Sequence, residues 1–118
     1  MLQYFKENNL EWDFDERLKI YLTFELYEVI DDHLVGYMAL RENNGKIYLA
    51  DLQILEQYQN MGFGTKLLKK AKEIARAKGY ESIHLKVFKN SPALSLYLRN
   101  GYKHISEEQY VYLLSTNT

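Results

Sequence analysis

The sequence predicts an α+β fold: a mixed, mostly antiparallel sheet flanked by helices, in the order β-β-β-α-β-α-β-β. Three observations carry this. Apolar and polar residues alternate through much of the stretch 18–55, the period of strands. The period changes to 3.6 over Thr65–Lys78. A strand, a short helix and two closing strands then follow. An antiparallel meander thus feeds a β-α-β unit. With 118 residues the chain can build one core and not two, so residues 1–118 read as a single domain.

The elements follow in order. A short helix is expected around Leu2–Asn8, then a polar segment from Glu11 to Arg17 with Trp12 and Phe14 as anchors. From Leu18, Ile20, Leu22, Phe24 and Leu26 alternate with Tyr21, Thr23, Glu25 and Tyr27, which reads as one strand. Asp31-Asp32-His33 is a turn. Leu34–Leu40 is the second strand, where Gly36 marks a bulge or a close backbone approach. Arg41–Gly45 supplies a hairpin turn through Asn44-Gly45, because Asn-Gly accepts the positive φ that tight hairpins need. Lys46–Leu55 is the third strand.

Leu67, Leu68, Ala71, Ile74 and Ala75 then form the apolar stripe of a helix that Gly79 should stop. Ile83–Phe88 is a strand. Ser91-Pro92 starts a helix over Ala93–Arg99, with Ser as N-cap and Pro at the first helical position. Asn100-Gly101 ends it. Tyr102–Ile105 and Tyr110–Leu114 close the sheet, and Ser115–Thr118 is expected to fray.

Composition narrows the function. The net charge is -1, with no long basic run, which argues against nucleic-acid binding through many phosphate contacts. There is no cysteine, so disulfides, thiolate metal sites and a Cys nucleophile are excluded. The three histidines are scattered, so no metal is expected. The acidic, polar N-terminus does not read as a signal peptide, and no apolar run approaches the roughly 20 residues that span a bilayer. The expectation is a cytoplasmic protein with neither a nucleic-acid nor a membrane partner.

The stretch Gln59-Asn60-Met61-Gly62-Phe63-Gly64-Thr65 lies where a strand must turn into the longest helix. Its glycines let an anion approach the backbone, and the first helical amides have no partner within the helix. Such a turn suits a pyrophosphate. Gln59-x-x-Gly62-x-Gly64 fits Q/R-x-x-G-x-G/A. One strand later, Asn90–Tyr102 fits N-x-x-A-x-x-x-Y-x-x-x-G-F/Y. Through these two motifs the chain resembles the GNAT superfamily of N-acetyltransferases over roughly residues 18–114.

The resemblance implies a GNAT-like fold and an acetyl-CoA-dependent N-acetyltransferase. Amides of Gln59, Asn60, Met61, Gly62, Phe63, Gly64 and Thr65 would cradle the pyrophosphate. The strand ending at Ile54 would splay from Ile83–Phe88, and backbone groups of Leu52 and Ile54 would pair with pantetheine. The Ile54 amide would hold the oxyanion, Asn90 the pantetheine arm, and Tyr97 would protonate the departing thiolate. An amine acceptor, small molecule or protein, would attack directly. Asp51, a lone carboxylate in an apolar strand, is the first candidate for the base, with Glu56, His84, Tyr48 and a water chain as rivals.

Seventeen residues precede Leu18, where family members usually have a strand and two helices. Either the acceptor site is open, or a second subunit completes it as a homodimer, or the domain is a shortened one. A GNAT-like module that binds CoA or a protein partner without efficient transfer is the alternative function.

Overall fold

The computed structural model describes residues 11–13, 19–23, 26–31 and 33–118. Among the described residues the strands are β1 (Glu11–Asp13), β2 (Lys19–Thr23), β3 (Leu26–Asp31), β4 (His33–Asn43), β5 (Lys46–Ile54), β6 (Ser82–Phe88), β7 (Lys103–Glu107) and β8 (Val111–Asn117). They form one sheet in the order β1-β2-β3-β4-β5-β6-β8-β7. The helices are α1 (Phe63–Ala77) and α2 (Leu94–Arg99), and a 3-10 turn spans Glu56–Tyr58. The β5–β6 pair is parallel and the other neighbours are antiparallel. The mixed, mostly antiparallel sheet expected from the sequence is present.

The strand count before α1 differs from the expectation. The run from Leu18 onward is two strands, β2 and β3, and the short β1 precedes them. The hairpin pairs Ile20 with Val29 and Leu22 with Tyr27. The two residues between the strands, Phe24 and Glu25, carry no turn chemistry, which is why the pattern reads straight through them. The helix expected at Leu2–Asn8 and the anchor Phe14 lie outside the described residues. Trp12 falls in β1, opposite Ile20.

Two glycines behave as their positions require. Asn44 and Gly45 both have positive φ, 53° and 75°, in a two-residue hairpin turn. At Gly36 an added Cβ would stand 2.4 Å from the Gln53 carbonyl oxygen, so the close approach between β4 and β5 admits no side chain.

The core lies between α1 and one face of the sheet. Leu67, Leu68, Ala71, Ile74 and Ala75 of α1 pack with Met38 and Leu40 of β4, Ile47 and Leu49 of β5, and Ile83 and Leu85 of β6. Helix α1 stops as a Schellman motif: Gly79 N–H donates to the Arg76 carbonyl and Tyr80 N–H to the Ala75 carbonyl. The end of the chain departs from the expectation of fraying. Strand β8 runs to Asn117, Thr118 N–H donates to Glu81 O, the Thr118 hydroxyl donates to Tyr80 O, and Arg76 donates to Thr118 O.

Candidate active site

The site begins with one extra residue. Opposite Ala39-Leu40, β5 presents Asp51 and Leu49, so Ala50 is left over as a bulge. A bulge bends its strand and adds twist. Without it, alternation would place Asp51 on the core face with Ile47 and Leu49. With it, Asp51 shares the opposite face with Ala39, its partner across the ladder. Beyond the bulge β5 also leaves β6: the two pair at Tyr48↔His84 and at no later position. The expected splay between β5 and β6 is therefore present.

Leu55 N–H donates to Val35 O, so odd-numbered residues at this end of β5 address β4. The backbone of Leu52 and Ile54 faces the gap instead. Half of each is already engaged. Leu52 N–H donates to Asp51 Oδ1 at 2.9 Å, and the Ile54 carbonyl accepts from Gln59 Nε2 at 2.9 Å. What remains to face the gap is the Leu52 carbonyl and the Ile54 N–H.

Tyr58 and Phe63 meet edge to face at 6.0 Å across the turn into α1. Asn60 and Gly62 both have positive φ, 62° and 86°, which curves successive N–H groups toward one side. Gly62 is the N-cap of α1, no side chain caps this helix start, and no acidic residue sits in its first turn. The first N–H groups of α1 thus lack the internal acceptor that a Ser or Asp would give. Gln59 differs from its neighbours. Its N–H donates to Glu56 O and its side chain to Ile54 O, so it shapes the turn and has no amide to offer. Gly64 has a packing reason as well: a Cβ there would lie 3.0 Å from Leu96 Cδ2 of α2. Asn100 at the end of α2 donates to the Thr65 hydroxyl at 3.4 Å. The two motifs are thereby in contact.

The second motif is a helix with a fixed stop. Ser91 Oγ accepts from Ala93 N–H at 3.1 Å, and regular helix begins at Leu94, one residue later than expected. At the far end Gly101 N–H donates to Leu98 O and Tyr102 N–H to Tyr97 O. This is again a Schellman motif, and it brings the rings of Tyr97 and Tyr102 edge to face at 5.9 Å. The spacing Tyr-x-x-x-Gly-Tyr follows from that geometry.

Tyr97 is 8% exposed. Burial first, and then the negative charge of Asp51, push its hydroxyl pKa up, so it stays protonated at neutral pH. Asp51 and Tyr97 therefore share one electrostatic neighbourhood. Asp51 is exposed and accepts from the Tyr37 hydroxyl at 3.2 Å and from Gln53 Nε2 at 3.1 Å, in addition to Leu52 N–H. Tyr37 escaped the sequence reading. It reaches Asp51 diagonally across the ladder, and that register depends on the Ala50 bulge.

His84 sits at the strand crossing, 5.6 Å ring to ring from Tyr48, and burial first and Lys46 second push its pKa down. Glu56 opens the exposed 3-10 turn. Asn90 lines a cleft of about 370 Å³ with Phe88, Lys89, Gln109 and Tyr110. None of the residues of the Gln59–Thr65 turn lines that cleft. Among the described residues no group of His, Cys, Asp or Glu could hold a metal, and no helix is long and apolar enough to cross a membrane.

A splayed parallel strand pair beside an uncapped, glycine-entered helix, within this mixed sheet, defines an acyltransferase class of fold. The model of the Acetyltransferase (GNAT) family matches residues 2–102. The chain belongs to that family, whose general activity is acetyl transfer. It is 32% identical to an N-alpha-acetyltransferase of Sulfurisphaera tokodaii, over 90% of this chain and 72% of that protein. It is 36% identical to thialysine N-epsilon-acetyltransferase of Mus musculus over 53% of this chain, but spans only 38% of that enzyme. The PaiA N-acetyltransferase of Thermoplasma acidophilum, solved in complex with coenzyme A, superposes with a TM-score of 0.73 at 25% identity. It matches 79% of this chain, which spans 60% of its length.

Proposed function

We propose that the chain transfers the acetyl group of acetyl-CoA to a primary amine by direct attack through a tetrahedral intermediate. The observation that carries this reading is the set of unspent backbone groups on consecutive elements. The Leu52 carbonyl and Ile54 N–H face the gap beside β6, and the uncapped amides of α1 follow them. The donor fits such a set: an extended pantetheine pairs with strand edges and a pyrophosphate suits helix amides.

In this reading the amides of Asn60–Thr65 bind the pyrophosphate, and Gln59 keeps their turn against Ile54. Ile54 N–H stabilises charge that develops on the thioester oxygen. Asp51 takes a proton from the incoming ammonium, whose pKa is near ~10.4 when free. Tyr97 gives its proton to the departing sulfur, an exchange between groups of pKa ~10 and ~8.5 before the site perturbs them. Asn90 reaches the pantetheine arm from the wall of its cleft. The named relatives act on α- and ε-amines, which supports a primary amine as acceptor. We place the enzyme in the cytoplasm.

The test is a thiol-release assay with acetyl-CoA over peptides with free α-amines, lysine-like ε-amines and polyamines. Tyr97→Phe should lower kcat about 100-fold and leave CoA affinity within about twofold of wild type. Wild-type turnover by Tyr97→Phe would remove Tyr97 from the mechanism. Saturating acetyl-CoA should also raise the melting temperature, and no shift would refute the donor.

A further inference from the structure

The Tyr102 hydroxyl is a buried polar atom that apolar packing does not call for. Its ring is 2% exposed, and its oxygen has no hydrogen-bond partner, alone in this among the buried side-chain polar atoms of the described residues. A phenylalanine would fill the same space and leave no buried donor unsatisfied, so the bare hydroxyl is a liability to the fold. The helix stop fixes where that hydroxyl is carried. Because Tyr102 N–H donates to Tyr97 O, the two rings are held edge to face at 5.9 Å. The unsatisfied donor thus belongs to the residue packed on the proton donor of the proposed reaction.

We propose that Tyr102 is a positioning residue for Tyr97: its hydroxyl donates a hydrogen bond to the Tyr97 oxygen as that oxygen becomes a phenolate. This rests on the reading of Tyr97 as the acid. In that step the C–S bond breaks with its electron pair on sulfur. The proton passes from Tyr97 to sulfur, and Tyr97 is left negative in a buried site. The charge of Asp51 raises the Tyr97 pKa further. Tyr102 supplies the compensating donor. The same coupling is visible from Tyr102, whose own pKa is driven up by burial first and by Tyr97 second. After turnover Tyr97 recovers its proton from the one the amine has released.

Two measurements on Tyr102→Phe test this. The first needs no turnover: the ring carbon bonded to oxygen is labelled with ¹³C, and the Tyr97 resonance is followed through an alkaline titration. Loss of the Tyr102 hydroxyl should move the Tyr97 midpoint to higher pH. The second is steady-state kinetics with acetyl-CoA and a short peptide bearing a free α-amine. The expected result is a fall in kcat of about tenfold with KM for acetyl-CoA unchanged and thermal stability equal or higher. The double variant with Tyr97→Phe should be no slower than Tyr97→Phe alone. An unmoved Tyr97 midpoint together with kcat within about twofold of wild type would overturn the proposal while leaving Tyr97 as the acid. If Tyr97→Phe itself turns over normally, the reading underneath fails, and Tyr102 loses this role with it.

Discussion

Strand β5 is two half-strands with different tasks. From Lys46 to Leu49 it pairs with β4, touches β6 at Tyr48↔His84 and sends Ile47 and Leu49 into the core. From Asp51 to Ile54 it keeps its pairing with β4 but departs from β6, and its side chains are exposed or half-buried. The difference between the halves is one residue, Ala50. Strand pairing supplies stability where both edges are used, and it supplies binding groups where one edge is left open. The open half then runs through the 3-10 turn into Gly62, so the unused groups of strand and helix follow one another along the chain.

Deleting Ala50 would break that distinction most severely. Deletion joins Leu49 directly to Asp51 and keeps Ala39↔Asp51 and Leu40↔Leu49 as consecutive pairs, so Asp51 stays on its present face. What goes is the bend and added twist of the bulge, so β5 should run on beside β6 and close the gap. CoA affinity, read by calorimetric titration, should fall by about 100-fold, a loss of about 3 kcal/mol, while urea unfolding shows the fold retained. Wild-type CoA affinity on deletion would mean that the bulge does not open β5 from β6.

Gly62→Ala strikes the outlet of the open half. A non-glycine residue at φ 86° costs about 1–2 kcal/mol. Nothing lies within 4 Å of the added Cβ, so the fold should survive with that loss, and CoA should bind more weakly because the turn relaxes. Wild-type stability with wild-type CoA affinity would refute the role given to this turn.

The smallest effect belongs to the paired half. Burial and Lys46 hold the His84 pKa in the folded chain below its unfolded value, near ~6.5. Below that pH the unfolded chain binds the extra proton, so stability is full above it and declines as pH falls through the folded pKa. Melting temperatures between about pH 7.5 and 5.5 should fall in wild type and fall less in His84→Gln. Identical slopes would show that His84 titrates as it does in the unfolded chain.

The same contrast explains how much the sequence disclosed. Asn44-Gly45, Gly79 and Gly101 mark chain reversals by backbone chemistry that only a few residues provide, and each is found where that chemistry predicts. The Tyr97–Gly101–Tyr102 spacing was visible as a motif, and the Schellman geometry supplies its reason. Ala50 gave no signal, because a bulge is a property of register between two strands and alanine is tolerated anywhere in a strand. The partnership of Tyr37 with Asp51 inherits that silence. The hairpin between β2 and β3 was hidden because Phe24-Glu25 looks like more strand. Gln59 was legible as a motif position, but its side-chain bond to Ile54 O depends on how the 3-10 turn folds back. The firm end of β8 was missed because its ties to Tyr80, Glu81 and Arg76 are long-range.

Amide hydrogen exchange with and without CoA addresses the central claim most directly, since that claim concerns which backbone donors are left for a ligand. Saturating CoA should slow exchange at Ile54, Phe63, Gly64 and Thr65, and leave Ile47 and Leu49 at their already protected rates. Binding of CoA with the first four amides unchanged would contradict the account.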